Sequence, residues 1–283
     1  MKKKEKKYEI KVTCDLVQYL TGLGVAKNKA KSYVRLGYVA VNNHEVKKLP
    51  YLLNEGDILT ICKNSSFHDS ICVVYEDENY LVVDKEAGIL SISTSKQLRE
   101  QEDTLYRRVR RYLNEKGEYA FIVNRIDKET SGLVIFVKHE WLKEMLQKDW
   151  NQIVKKRGYI AVVAGVIKEH GHIDNYLYED RRTFTHSTHV GGKRAITDYC
   201  PILGNANYTM LDVSIKTGRK NQIRVHFSEA GYPILGDKKY YSKDNPLKRL
   251  ALHHYEISFI DPITHQVMTY FSKVPQEFYD LFS

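Results

Sequence analysis

The chain has 283 residues, 42% of them hydrophobic, and a formal net charge of +9. That length accommodates one large domain with a small one beside it, and no run approaches the ~18 apolar residues of a membrane span. The four cysteines, Cys14, Cys62, Cys72 and Cys200, make no C-x-x-C pair and no histidine cluster completes a metal site. They read as small buried residues in a reducing compartment, so a cytoplasmic protein is expected.

The positive charge is concentrated early. Residues 1–62 hold 12 Lys and Arg against 6 Asp and Glu, and the remainder hold 32 against 29. A basic N-terminal module suggests phosphate contacts, which supply most sequence-independent affinity for nucleic acid. A solvated basic surface is the plainer alternative. Met1 to Lys7 is a charge run with no apolar stretch behind it, which argues against a signal peptide. A basic disordered arm is expected over residues 1–9.

Residues 10–63 read as a compact unit. Asp15 can cap a short helix burying Leu16, Tyr19 and Leu20, and Gly22 and Gly24 break the chain. A second helix is expected from Asn28 to Leu36, with Gly37 at the left-handed C-terminal position. Tyr38 to Val41 reads as a strand, Asn42-Asn43 as a turn, and Ile58 to Ile61 as a strand after the turn Glu55-Gly56-Asp57. This order resembles the S4 RNA-binding domain, with its basic helix, V-x-V-N turn and GD before the last strand. The resemblance implies that Lys27, Lys29, Lys31 and Arg35 meet RNA; taken singly, each is equally a solvated charge.

Residues 64–70 are polar and read as a linker. Val73 to Tyr75 and Tyr80 to Lys85 read as strands joined by a turn. Ser91 to Glu102 is polar and expected to be mobile. Asp103 can cap a helix with Leu105, Val109, Tyr112 and Leu113 on one face and Arg107, Arg108, Arg110 and Arg111 largely on the other. Phe121-Ile122-Val123 and Leu133 to Val137 read as buried strands flanking a polar loop, Asn124-Arg125-Ile126-Asp127-Lys128-Glu129-Thr130-Ser131-Gly132. Taken alone, that loop is a charged turn; in an extended segment Arg125 and Asp127 share a face. Trp141 to Val154 is an amphipathic helix, and Lys156 to Gly165 a strand. Ile173 to Arg194 is polar and reads as exposed connections, and Met210 to Lys216 as an alternating strand.

Beyond that strand come Thr217-Gly218-Arg219-Lys220-Asn221-Gln222-Ile223-Arg224-Val225-His226 and then Gly231-Tyr232-Pro233-Ile234-Leu235-Gly236-Asp237. With the central loop, these resemble the signature of the RluA-type pseudouridine synthases: an HRLD-x-x-TSG loop and a later TGR-x-HQIR-x-H…G-x-PI-x-GD stretch. The resemblance runs from about Ile71 to the C-terminus. It implies an α+β fold: a small S4 domain followed by a catalytic domain over 71–283, with a mixed, mainly antiparallel sheet and flanking helices. It implies a monomeric RNA pseudouridine synthase acting on structured RNA, ribosomal RNA first and tRNA next. The competing classes are a non-catalytic RNA-binding or ribosome-assembly factor and a DNA-binding regulator; for the last, no helix-turn-helix logic is visible.

Uridine and pseudouridine are isomers, so no cofactor or metal is required. The reaction needs a carboxylate near the sugar and base, a pocket that keeps the detached uracil, and exclusion of water. Asp127 fits the first; with an ordinary pKa near 3.9 it is ionised at neutral pH. The resemblance makes Arg224 its partner, a residue that stays charged and binds carboxylates bidentately. It also places Tyr159 against the uracil, Ile223 on the other face, and Arg125 at the RNA backbone or in the flipped nucleotide's place. Tyr159 alone could equally be a core tyrosine. Three departures stand out: Asn124 and Asn221 replace histidines, and Glu86 replaces a proline, which suggests a looser loop there. The asparagines are expected to alter substrate choice and RNA contacts, since Asn hydrogen-bonds but carries no charge.

Overall fold

The computed structural model describes residues 5–35, 38–42, 44–46, 48–62, 71–93, 103–188 and 190–283. They fall into two compact units, Met1–Ser70 with Ser93–Asp103 and Ile71–Ile92 with Thr104–Ser283.

In the first unit the order is β1 (Glu5–Glu9), β2 (Cys14–Asp15), α1 (Leu16–Gly22), α2 (Lys27–Arg35), β3 (Val39–Val41), β4 (His44–Glu45), β5 (Leu52–Leu53) and β6 (Ile58–Cys62). Asp15 caps α1 through the Gln18 amide at 3.0 Å, as its residue type favours. Leu16, Leu20, Val34, Val39, Val41 and Leu59 meet in one core. The strands join as β1-β6-β3-β4, with β2 and β5 paired separately. Residues 5–9 are therefore not the disordered arm expected from their charge. They pair with β6 from Glu5↔Cys62 to Glu9↔Ile58, and Tyr8 packs on the core, so backbone pairing and one aromatic outweigh the charge run. Asn42, at φ 50°, sits where a left-handed turn is needed and accepts from the Ile58 amide at 2.9 Å. Leu36, Gly37, Asn43 and the expected linker lie outside the described residues, as does most of the stretch expected to be mobile.

The second unit is built on one large sheet. Its elements are β7 (Cys72–Glu76), β8 (Tyr80–Lys85), α3 (Leu105–Asn114), β9 (Phe121–Ile122), β10 (Ser131–Val137), α4 (Glu140–Ile153), β11 (Val154–Ala164), β12 (Gly171–Glu179), β13 (Thr185–Thr188), β14 (Lys193–Gly204), β15 (Tyr208–Ile215), α5 (Gln222–Glu229), β16 (Leu252–Ile260), β17 (Val267–Phe271) and α6 (Gln276–Tyr279). The strand order is β13-β12-β14-β15-β11-β16-β10-β8-β7, with β17 on β16 and β9 on β10. β10 and β16 run parallel; their other neighbours run antiparallel.

Alternation along the central strands divides them between two cores. Leu81, Val83, Val134 and Phe136 join α3 residues Leu105, Val109 and Leu113 and α5 residues Ile223 and Phe227. Tyr80, Val82, Leu133, Ile135 and Val137 join α4 residues Leu142 and Leu146 on the opposite face. Each such side chain contributes roughly 1.5–3 kcal/mol by leaving water. Two expectations are corrected. Thr104, not Asp103, caps α3, accepting from the Arg107 amide at 3.3 Å. Arg108 is buried rather than outward, with Nη1 2.6 Å from Glu86.

The stretch expected as exposed connections, 173–194, forms β12, β13 and the start of β14. Its polar residues hid an alternation that is present: along β12 His172, Asp174, Tyr176 and Tyr178 are exposed, while Ile173, Asn175 and Leu177 are covered, Asn175 bonding His226 of α5. Leu177 and, just beyond the stretch, Ala195 form a small core with Val225 of α5 and Tyr240, and Phe184 packs against it.

Candidate active site

The loop between β9 and β10 is irregular but tied at several points. Asn124 Oδ1 accepts from the Ile135 amide at 2.7 Å, taking a place in the ladder that backbone would otherwise fill. Ser91 Oγ bonds the Ile126 carbonyl at 2.8 Å and accepts from the Ile126 amide at 3.2 Å. Buried Lys85 donates to the carbonyls of Glu86, Ile89 and Lys128 at 2.8, 2.8 and 3.0 Å, using all three of its donors. Burial pushes Lys85 down to about 7, while Glu129 and Asp127 pull it back up. The loop at Glu86 is thus clamped, contrary to the looseness expected from the missing proline. Gly132 closes the motif at φ +115°; a Cβ there would stand 2.2 Å from the His254 carbonyl oxygen. Only glycine permits that approach of β10 to β16.

The helix α5 supplies Arg224. Its Nε and Nη2 form a two-pronged contact with Asp237, 2.7 Å each, and Nη1 donates to Asn221 Oδ1 at 3.1 Å. The same Nη1 lies 3.7 Å from Asp127 Oδ2. Asp127 is therefore the second carboxylate of Arg224, and Asp237, whose side chain is wholly enclosed, is the first. The Tyr240 ring lies 5.2 Å from the guanidinium carbon. Asp127 keeps 28% of its side chain exposed. Burial raises its carboxyl above the ordinary value; Arg224 opposes this, Asp237 adds to it, and Lys239 and Lys85 oppose it further. Lys239, its Nζ bonded to the Thr183 carbonyl at 2.8 Å, is itself lowered by burial, Lys220 and Arg224.

Tyr159, on β11, pairs in register with His254 on β16. Their rings stack at 4.4 Å and 17°. Burial pushes the Tyr159 phenol up, and Asp127 adds to the rise, so the hydroxyl stays protonated near an anionic neighbour. Ile223 lies in the same apolar cluster as Tyr159. The structure thus brings Arg224 to Asp127 and sets Tyr159 within reach of the Asp127 charge, while Ile223 is placed only in the same large core as Tyr159. Arg125 is exposed on the loop, two residues before Asp127. Lys27, Lys29 and Lys31 are exposed along α2 of the first unit; Arg35 ends that helix, and its side chain lies outside the described residues. Asp237, Tyr240, Lys85 and Lys239 carry no role that the sequence alone suggests. Asp237 is visible as the last residue of the G-x-PI-x-GD stretch, but nothing in the spacing says which cation it takes.

Comparison with known proteins agrees with this architecture. The RNA pseudouridylate synthase family matches residues 79–229. The ribosomal large subunit pseudouridine synthase D of Borreliella burgdorferi is 33% identical over 221 residues, covering 74% of this chain and 66% of that protein. An uncharacterized RNA pseudouridine synthase of Bacillus subtilis is 27% identical over 272 residues, covering 92% and 95%. The solved structure of human RNA pseudouridylate synthase domain containing 4 shares the fold, with a TM-score of 0.59 at 19% identity over 74% of this chain and 90% of that one. The chain belongs to the RNA pseudouridylate synthase family, whose activity is the isomerisation of uridine to pseudouridine in RNA.

Proposed function

We propose that this chain isomerises a uridine in structured ribosomal RNA, with tRNA the second candidate, and that Asp127 is the catalytic carboxylate. In the reaction the N1–C1′ bond breaks, the uracil turns, a C5–C1′ bond forms, and the proton lost from C5 is balanced by one gained at N1. Asp127 acts at the sugar–base bond, where its negative charge can meet the positive charge that develops as the bond opens. Arg224, fixed by Asp237, holds that carboxylate in place and opposes its protonation. Tyr159 and Ile223 present apolar surface to the uracil, which must be extruded from the stack at a cost of a few kcal/mol. Arg125, exposed beside Asp127, is assigned to the RNA backbone. The reaction is redox-neutral and transfers no outside group, so the protein works without cofactor or metal, as a monomer in the cytoplasm.

Residues 10–63 act as an S4 RNA-binding module. What supports this is a basic α2 with exposed Lys27, Lys29 and Lys31, followed by β3, the Asn42 turn, and Gly56-Asp57 before β6. Arg35 is assigned to the same surface. The printed name of the Borreliella relative refers to the large ribosomal subunit, which favours ribosomal RNA here.

The observation that carries the reading is the half-buried Asp127 beside Arg224, with Tyr159 close enough to feel its charge. Pseudouridines mapped in total RNA from cells with and without the gene test it. One missing site in large-subunit ribosomal RNA is expected. A loss confined to tRNA would overturn the substrate, and intact modification with altered ribosomal particles would point to an assembly factor.

A further inference from the structure

The contacts of Asn221 bear on how Arg224 addresses Asp127. The fork on Asp237 uses Nε and Nη2, leaving Nη1 as the corner that faces Asp127 at 3.7 Å. A two-point contact still lets the guanidinium rock about the fork, and a third point stops it. Asn221 supplies that point. It is 6% exposed, holds φ 54° at the head of α5, and accepts from Nη1 at 3.1 Å. Its Nδ2 donates to the Tyr240 hydroxyl at 3.1 Å, which also accepts from the Thr185 amide at 3.2 Å. A guanidinium only donates, so the amide oxygen must face it and the amide nitrogen must face Tyr240.

We propose that Asn221 is a positioning residue, which aims Nη1 of Arg224 at Asp127 and does so independently of pH. The inference rests on the reading of Asp127 as the catalytic carboxylate. An amide neither gains nor loses a proton, whereas a histidine in its place would supply the same acceptor and donor only while neutral. Protonated, it would lose the acceptor and repel the guanidinium. The charged and titratable groups around this contact are Arg224 on α5, Asp237, Lys239 and Tyr240 from the turn after it, Asp127 and Lys85 from the loop side, and Lys220 with its partner Glu179 of β12.

The test measures single-turnover pseudouridine formation from pH 5.5 to 8.5, on total RNA from cells lacking the gene, for wild type, Asn221→Ala, Asn221→His and Asp127→Asn. Dividing each variant's rate by the wild-type rate removes the titrations of Asp127 and Lys85 that all share. Asn221→Ala should be slower by about 10–100-fold at every pH, the worth of one hydrogen bond to a charged group, with RNA affinity little changed. Asn221→His should run near the wild-type rate at the alkaline end and hold it down to the pH at which the ring protonates, which burial beside Arg224 sets below the ordinary value. An Asn221→His rate more than about tenfold below wild type at the alkaline end would overturn the proposal, as would a wild-type rate in Asn221→Ala. If the alanine variant melts early, the histidine ratio alone decides. An active Asp127→Asn would instead sink the catalytic reading beneath it, so the two failures are separable.

Discussion

Replacing Arg224 by methionine leaves two carboxylates without their common cation, and the one it strands in the interior is Asp237. That side chain has no solvent access, and its other bonds come from the Lys239 and Tyr240 amides at 3.1 Å each. Arg224→Met should therefore cost about 3–5 kcal/mol, as when one partner of a buried pair is removed. Adding Asp237→Asn should restore part of that loss, whereas adding Asp127→Asn should restore less. Denaturant melts over the two double-mutant cycles measure this; equal coupling of Arg224 to both carboxylates would contradict the geometry. The sequence brings Asp127, Arg224, Tyr159 and Ile223 to attention through their motifs. The order of Arg224's partners is not legible there, because it depends on which carboxylate packing brings into the plane of the fork. Asn124 and Asn221, the departures that put substrate choice and RNA contacts in question, bond protein groups: the first completes a strand ladder, the second contacts Arg224.

At the scale of elements, the parallel contact between β10 and β16 sets the site. Register aligns Ser131 with His253 and Gly132 with His254, and His254 in turn carries Tyr159. A chain of hydrogen bonds reinforces this seam, from Arg249 to Ser131, His253, Ser272 and Asp84. The seam leaves no room for a methyl group on Gly132. Gly132→Ala should be destabilised by more than about 4 kcal/mol or fail to fold, a large loss tied to backbone strain and overlap. Gly204→Ala is the control, since the nearest atom to its Cβ is 3.8 Å away and its φ is ordinary; it should lie within about 1 kcal/mol of wild type. Comparable melting temperatures for the two variants would contradict the role given to the seam. Of this seam, β10 is legible in the sequence because its β-branched run marks a buried strand, whereas β16, with two histidines, a tyrosine and a glutamate, carries no such run. The β12–β14 strands are not, because the face that α5 covers there carries polar residues such as Asn175 and Thr197, which bond His226, and leaves no run of apolar residues to read.

Over the whole molecule, buried charge and surface charge make separate predictions. Burial lowers His226, His253 and His254 to about 4, 3 and 4. An unfolded histidine protonates near 6.5, so the stability these residues hold is complete above that pH. It is lost as pH falls toward those lowered values, at up to about 1.4 kcal/mol per pH unit for each. His254→Phe, which preserves a ring beneath Tyr159, should remove one such share from the slope of unfolding free energy between pH 6.5 and 5; an unchanged slope would mean that His254 is not held neutral. The first 62 residues, with twice as many basic as acidic groups, are the segment proposed to bind RNA. Their removal should weaken RNA affinity and reduce the slope of log K against log salt by roughly 0.7–0.9 for every phosphate that the shortened protein no longer neutralises; an unaltered slope would deny that segment a part in binding. The most direct test of the account is the Asp127→Asn enzyme, purified away from wild type and given RNA from cells lacking the gene. Asparagine keeps the shape and loses the charge, so RNA should bind with little change while pseudouridine formation disappears. Turnover above about a hundredth of the wild-type rate, a lenient limit beside the 10²–10⁴-fold loss usual for one positioned group, would show that Asp127 is not the catalytic residue.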